Sequence, residues 1–364
     1  MITEHEPSSV DWRVNNFDLV RLFAALQVAV VHALMHLKPT GSFVHIARAG
    51  LELFPGVPIF FVISGLLISK SYEQSDSIRD YYRNRCLRIF PGLWVCLVVS
   101  VGVILIIGVG SIGPVPTRDW LLWWAAQMSI FQNYNPAFLK PLGDGMPNGS
   151  LWTIPVELEF YLLLPVLYCT LRLRRRRGHV LVLIVLVASL AAELVLAYGR
   201  RHFPWLTDYG FLFGTLVPYL WMFLVGVLIQ RNWSRLRRCL AHQAHWWLLG
   251  YFLLCIVARL LRIDAGGNNM NPIFLLPLAG LVISCAMSAP SLSNRILRHR
   301  DISYGTYIYH MLVINLLLYF GVRASVPAVV AAIVISLALA ATSWHVVEKP
   351  FLIRKRNALR IAEA

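Results

Sequence analysis

Apolar residues run along the chain in long blocks that are separated by short polar segments. The hydrocarbon core of a bilayer is about 30 Å thick, and an α-helix needs about 20 apolar residues to cross it. Ten blocks qualify, and we predict a transmembrane helix at approximately residues 17–37, 52–70, 89–110, 150–171, 179–198, 210–230, 245–262, 272–289, 302–322 and 326–346. The pattern therefore predicts an all-α integral membrane protein, in which about ten helices form a single domain over residues 1–364.

Lysine and arginine residues are concentrated in every second connection between these blocks. When the N-terminus is placed in the cytoplasm, the segments on that side hold 23 of the 33 Lys and Arg residues. Cytoplasmic connections of membrane proteins carry this excess of positive charge. The distribution predicts that both termini are cytoplasmic. It also explains the net charge of +15 through topology, so no nucleic-acid partner is expected.

The composition excludes two broad classes of protein. Apolar residues make up 58% of the chain and charged residues 14%, whereas a soluble domain carries about 25% charged residues. A soluble enzyme and a disordered scaffold are both inconsistent with these values. The six cysteines form no CxxC pair and have no histidine at a metal-binding spacing, so we expect neither a disulfide framework nor a metal site.

Ionisable residues inside the apolar blocks are the first candidates for chemistry, because each is costly to insert into a membrane. Arg21 and His32 are eleven residues apart, close to three helical turns, and so share one face of the first span. Histidine is suited to accept a proton near neutral pH, although packing would also explain His32. Glu157 opens the fourth span, and His310 lies within the ninth, where a core histidine bonded to a neighbouring helix is the simpler interpretation.

Two charged segments face the predicted cytoplasmic side. Arg85 and Arg88 are three residues apart, so on a helix they would be neighbours that could bind phosphate groups. A surface that faces lipid headgroups would have the same composition. Glu348, at the inner edge of the last span, is compatible with pairing to an arginine or with catalysis.

Six ordered motifs resemble the acyltransferase type 3 family of integral membrane enzymes. They are Arg21-x10-His32, GVPIFFVISGLLIS from Gly56 to Ser69, Arg85-x-x-Arg88, SLWTIPVELEFYLLLP around Glu157, SYGTYIYH around Tyr307, and VVEKPF at Glu348. The resemblance covers nearly the full length of the chain and implies that the protein lies in a cell inner membrane. Thr153 and Pro155 depart from the family pattern in the fourth-span motif.

The resemblance implies an O-acetyltransferase that moves an acetyl or other short acyl group from acetyl-CoA, or another acyl-CoA, to a hydroxyl of a saccharide. The expected acceptor is an exopolysaccharide or a lipid-linked sugar. Polysaccharide assembly machinery is an expected partner. His32 would be the base or the transient acyl carrier, Arg21 and Glu157 would assist catalysis, and Arg85 and Arg88 would bind the donor. The expected supporting residues are Trp152, Tyr307, His310 and Glu348. Two alternatives remain: a transporter of an anionic solute or lipid-linked intermediate, and a passive subunit of an assembly complex.

Overall fold

The computed structural model describes residues 15–107, 112, 114–142, 145–173, 176–203, 212, 214–265, 267–289 and 291–353. Within these ranges the chain is α-helical and contains no β-strand. The helices are α1 (Phe17–Leu37), α2 (Ser42–Glu52), α3 (Gly56–Glu73), α4 (Ile78–Ile107), α5 (Thr117–Met128), α6 (Thr153–Thr170), α7 (Arg176–His202), α8 (Leu220–Arg231), α9 (Trp233–Leu240), α10 (Ala244–Leu260), α11 (Pro272–Met287), α12 (Leu292–Leu297), α13 (Ser303–Tyr319) and α14 (Val326–Ser343).

Six described segments are long and apolar enough to cross a membrane: Phe17–Leu37, Ser42–Glu73, Ile78–Ile106, Gly149–Thr170, Gly178–Gly199 and Val326–Ile353. A seventh is obtained if α9 and α10, which meet at a bend of 78°, count as one span. The prediction of an all-helical integral membrane protein is therefore confirmed. The predicted number of ten spans is not confirmed.

The difference arises because some of the predicted blocks form helices shorter than a bilayer requires. Each block overlaps one helix, but α8 has 12 residues and α11 has 16. At about 1.5 Å per residue these helices are roughly 18 and 24 Å long, less than the ~30 Å core. Within the block at 210–230, helix α8 begins at Leu220, and residues 210, 211 and 213 lie outside the described part of the chain.

The basic segment before the third block is helical. Helix α4 begins at Ile78 and continues past Pro91 to Ile107, so Arg85 and Arg88 lie on the same helix as the apolar residues that follow. The Trp-rich helix α5 has 12 residues and is too short to span a bilayer.

Helix α3 lies at the centre of the bundle and packs most closely against α8. A Cβ atom on Gly65 would lie 1.9 Å from the carbonyl oxygen of Phe223, so only glycine permits this separation of the two backbones. At the end of α3, Glu73 accepts hydrogen bonds from Tyr168 of α6 and from Gln230 and Arg231 of α8. These contacts fix the end of α3 against α6 and α8. Helix α1 also packs against α3, and α13 packs against α1.

Candidate functional site

His32 of α1 and His310 of α13 form a hydrogen-bonded pair. Nδ1 of His32 lies 3.0 Å from Nε2 of His310, and the two ring centroids are 5.2 Å apart. His310 is fully buried, whereas His32 is half-buried. The other ring nitrogen of His310, Nδ1, lies 2.7 Å from the backbone carbonyl oxygen of Tyr307.

These contacts determine where the protons lie when both imidazoles are neutral. A carbonyl oxygen only accepts, so Nδ1 of His310 carries the hydrogen and donates it to Tyr307. Nε2 of His310 is then an acceptor, and Nδ1 of His32 donates to it. This leaves the lone pair of His32 on Nε2, the nitrogen that can accept a proton from a hydroxyl group.

His32 lines the larger of two cavities that matter for the chemistry, which we call the histidine cavity. Its volume is about 660 Å³. It lies between α1, the start of α3, α10 and the connection from α10 to α11. Its polar and aromatic lining comprises Gln27, His32, Glu52, Trp152, Phe252, Arg259, Asp264, Asn268, Phe274 and Tyr307.

A second cavity, the basic cavity, lies towards the beginnings of α1, α4 and α13. Its volume is about 230 Å³. Its charged and polar lining comprises Arg21, Ser64, Asn84, Arg85, Arg88, Thr153, Glu157, Tyr161, Ser303, Tyr304 and Tyr307. Arg21 and His32 lie on α1 about 16 Å apart along the helix axis, and they line different cavities.

Arg21 and Arg88 are neutralised by carboxylates at one edge of the basic cavity. Arg88 pairs with Asp301, in the connection before α13, and its Nη1 lies 3.6 Å from Oε2 of Glu348. Arg21 lies 3.4 Å from Asp18 and 3.6 Å from Asp301. Burial alone would raise the pKa of the Asp301 carboxyl, but the guanidinium groups of Arg88 and Arg21 hold the pKa below its usual value.

Arg85 has different surroundings. Its Nη2 donates to the Ser71 hydroxyl at 3.1 Å, and its guanidinium lies 5.7 Å from the centre of the Tyr161 ring. Within the described residues no carboxylate pairs with Arg85, and its buried Nε has no hydrogen-bond partner. Arg85 therefore retains a positive charge that is available to an anion in the basic cavity.

Glu157 also belongs to the basic cavity and lies apart from the histidine pair. Its Oε1 accepts a hydrogen bond of 2.5 Å from the Tyr161 hydroxyl. Glu159, two residues further along α6, accepts instead from the backbone N–H of Leu216 at 2.6 Å. His32 therefore bonds to His310, while Glu157 bonds to Tyr161.

The two cavities share a wall formed by Val57 of α3 and Tyr307 of α13, which line both. The Thr153 hydroxyl donates to the Tyr307 hydroxyl at 2.9 Å. Trp152 and Thr153 are consecutive residues on opposite sides of this wall, since Trp152 lines the histidine cavity and Thr153 the basic cavity.

Several residues of the site were not selected from the sequence. Asp301 is an acidic residue directly before the ninth predicted span, on the side where the connections are basic, and this contrast was a usable signal. Val57 and Tyr161 gave no such signal, because an apolar residue and a tyrosine are ordinary in a membrane helix. The described residues contain no group of three or more His, Cys, Asp or Glu side chains arranged to hold a metal ion.

The chain matches a known family and several known proteins. The acyltransferase domain of the type 3 family matches residues 14–345. Nodulation protein 10 of Rhizobium leguminosarum bv. viciae is 35% identical over 353 residues, which cover 92% of each chain. The O-acetyl transferase of Shigella phage Sf6 is 26% identical over 356 residues, covering 95% of this chain and 98% of that protein.

A third relative is longer than this chain. A putative peptidoglycan O-acetyltransferase of Bacillus subtilis is 23% identical over 377 residues, which cover 93% of this chain and 54% of that protein. No solved structure matches the chain. The family match extends over nearly all of the residues that form the helix bundle, the histidine pair and both cavities. The chain therefore belongs to the acyltransferase type 3 family and is a membrane O-acyltransferase.

Proposed function

We propose that the protein transfers an acetyl or other short acyl group from an acyl-coenzyme A to a hydroxyl group of a saccharide. The observation that carries the proposal is the position of the His32–His310 pair. It borders one cavity, and a second cavity adjoins the first at Val57 and Tyr307. The second cavity contains Arg85, which no carboxylate of the described residues neutralises. This arrangement suits an enzyme whose donor and acceptor approach from different sides.

The basic cavity is the proposed donor site. Coenzyme A carries phosphate groups, and guanidinium groups bind phosphates through charge-assisted hydrogen bonds. Arg85 is the principal phosphate ligand in this proposal, because Arg88 and Arg21 already pair with Asp301, Glu348 and Asp18. Arg21 and Arg88 then shape the mouth of the cavity and hold α1, α4 and α13 together.

The acceptor hydroxyl is proposed to bind in the histidine cavity, next to Nε2 of His32. His32 accepts the hydroxyl proton while the oxygen attacks the thioester carbonyl carbon. The carbon–sulfur bond then breaks, a carbon–oxygen bond remains, and the thiolate of coenzyme A takes up the proton from His32. His310 keeps His32 in the tautomer this step requires and stabilises the imidazolium that forms, which makes His310 a positioning residue.

The charge distribution supports an orientation for the two cavities. Arg85 and Arg88 belong to a connection that the excess of positive charge assigns to the cytoplasm, so the basic cavity would open to cytoplasmic acyl-coenzyme A. The histidine cavity would then open to the opposite side. With α1, α3, α4, α6, α7, α8, α10, α11, α13 and α14 as ten crossings, some of them short, both termini are cytoplasmic and the protein lies in a bacterial inner membrane.

The names of the relatives support a saccharide acceptor. One relative is named for peptidoglycan O-acetylation and another for O-acetyl transfer, and peptidoglycan is a polymer built on sugars. Trp152 and the polar side chains of the histidine cavity are suited to a sugar, which presents both an apolar face and hydroxyl groups. A cell-surface polysaccharide, an exopolysaccharide or a lipid-linked precursor is the acceptor we propose.

The test uses purified protein in lipid nanodiscs with acetyl-CoA and the de-O-acetylated surface polysaccharide of the parent organism. Release of coenzyme A thiol and formation of O-acetyl esters, followed by NMR, are measured together. We expect both with the wild type, and a loss of about 10²-fold or more with His32→Ala. His45→Ala removes an exposed histidine of α2 and is the matched control. Wild-type protein that releases no thiol and forms no ester would refute the proposal.

A further inference from the structure

The two cavities adjoin at two buried residues. Val57 and Tyr307 line both cavities, yet they are only 3% and 6% exposed. If the donor enters through the basic cavity, its acyl group must pass between these two side chains to meet a hydroxyl beside His32. The inference below rests on the proposed transfer from acyl-coenzyme A and concerns which acyl groups can pass.

The Val57 side of the wall is fixed by helix α1. The backbone N–H of Gly56 donates to Oε1 of Gln27 at 2.7 Å, and Nε2 of Gln27 donates to the carbonyl of Leu51 at 2.9 Å. A Cβ atom on Gly56 would lie 2.3 Å from the carbonyl oxygen of Ala24, so the backbone beside Val57 is in direct contact with α1. Val57 therefore cannot move away from its position without separating α1 from α3.

The Tyr307 side is fixed at both ends of the residue. Its hydroxyl accepts from Thr153 at 2.9 Å, and its backbone carbonyl accepts from His310 at 2.7 Å and from the Ser150 hydroxyl at 3.2 Å. The Phe60 ring packs edge-on against the Tyr307 ring, with centroids 5.6 Å apart. Rotation of the Tyr307 ring away from the wall would break the bond to Thr153 and displace Phe60.

An acyl group that passes between two side chains held in this way is selected by size, because close-packed interiors resist each added methylene group. We propose that Val57 and Tyr307 form an acyl-length filter, which admits an acetyl group and rejects acyl groups as long as butyryl. One additional methylene group in a fitted apolar pocket changes rates by about 10-fold or more. Two methylene groups separate butyryl from acetyl, so the expected preference for acetyl is at least about 100-fold.

The experiment compares acetyl-, propionyl- and butyryl-CoA as donors in nanodiscs, with the de-O-acetylated polysaccharide as acceptor. The measured quantity is the ratio of acetyl to butyryl ester formed, determined by mass spectrometry of the polysaccharide. Val57→Ala enlarges the gap directly, and the ratio is expected to fall about 10-fold. Thr153→Val keeps the side-chain shape but removes the bond that holds Tyr307, and a smaller fall is expected.

Val62→Ala is the matched control, because Val62 is buried on the same helix and lines neither cavity. Its ratio should equal that of the wild type. Unchanged ratios in both Val57→Ala and Thr153→Val, or a wild type that transfers butyryl as well as acetyl, would overturn the filter while leaving acyl transfer intact. If the wild type transfers no acyl group from any donor, the proposed function itself is wrong. Should Val57→Ala fail to fold, Thr153→Val and the wild-type donor series decide the question.

Discussion

His310 donates from Nδ1 to the backbone carbonyl of its own helix, 2.7 Å away, and thereby presents Nε2 as an acceptor to Nδ1 of His32 at 3.0 Å. A backbone carbonyl cannot change its role, so the orientation of the proton on His310 is fixed by the helix itself. His310 is fully buried and its contacts are internal to the bundle. Its contribution to catalysis is therefore made through His32.

We expect His310→Ala to lower kcat by about 10²-fold, because His32 then loses the group that selects its reactive tautomer. In His310→Gln the amide oxygen stands close to where Nε2 was and can accept from His32 Nδ1. This variant should retain activity within about 10-fold of the wild type. Steady-state thiol release from acetyl-CoA measures both values. If His310 had a purely structural role, kcat would fall equally in the two variants. Equal losses of kcat would therefore contradict the role of His310 in selecting the tautomer of His32.

Arg85 and Arg88 are neighbours on α4, but their replacement should affect different properties. We expect a change in donor binding for Arg85 and in stability for Arg88. Arg85 has no carboxylate partner in the described part of the chain, so Arg85→Gln should raise KM for acetyl-CoA by about 10-fold or more while the melting temperature stays unchanged. Arg88→Gln leaves Asp301 and Glu348 without their shared cation and should lower the melting temperature.

The predicted change of KM for acetyl-CoA in Arg85→Gln has its own control. Acetyl-pantetheine lacks the phosphate groups of acetyl-CoA, so its KM should be the same for Arg85→Gln and the wild type. Arg83→Gln removes an exposed arginine of the same helix and should change neither KM nor melting temperature. An equal rise of KM for both donors in Arg85→Gln would show that Arg85 does not bind phosphate.

Hydropathy and charge predicted the helical class, the membrane setting and the position of most helices, because long apolar blocks have few alternatives to a buried or membrane helix. Helix lengths were harder to predict. Helix α8 begins at Leu220 although the apolar block starts ten residues earlier, and an apolar run alone does not show where a helix begins.

The sequence singled out individual candidate residues but did not predict which of them lie together. It placed His32 and His310 in separate helices, whereas the structure pairs these two histidines and bonds Glu157 to Tyr161. Spacing along one helix reports which residues share a face. It does not report which face of a distant helix packs there, and for that reason neither the Asp301 pairs nor the Val57–Tyr307 wall followed from spacing.

Asp301 gives a prediction with a defined pH dependence. Its side chain is 11% exposed and pairs with Arg88 and Arg21, so Asp301→Asn should destabilise the protein by about 3 kcal/mol at pH 7. The pKa of Asp301 is held below the usual carboxyl value of 3.8. A depressed pKa contributes stability that is complete above about pH 4 and lost as the pH falls through the folded-state pKa.

Thermal unfolding in detergent measures this contribution. At pH 7 the melting temperature of Asp301→Asn should lie below that of the wild type, by on the order of 5 °C. Below about pH 4 this difference should shrink, because the Asp301 carboxyl of the unfolded wild type then binds a proton that the folded state, with its lower pKa, does not. The difference should vanish below the folded-state pKa. Asp76→Asn removes an exposed carboxylate and should match the wild type throughout. A difference for Asp301→Asn that persists unchanged at pH 3 would show that charge is not its cause.

Trp152 is expected to act on the acceptor alone. Its ring lines the histidine cavity and packs against Tyr219 at 5.5 Å between centroids, so one face is supported by protein. An aromatic ring held in this way can stack on the apolar face of a sugar, a contact worth about 1 kcal/mol or somewhat more. Trp152→Ala should therefore raise KM for the polysaccharide about 5- to 10-fold.

KM for acetyl-CoA should not change in Trp152→Ala, because the donor is proposed to bind in the basic cavity, which Thr153 lines and Trp152 does not. Trp152→Phe keeps a ring at this position and should recover part of the loss. Initial rates measured while each substrate is varied separately provide both constants, and a rise confined to acetyl-CoA would assign the histidine cavity to the donor.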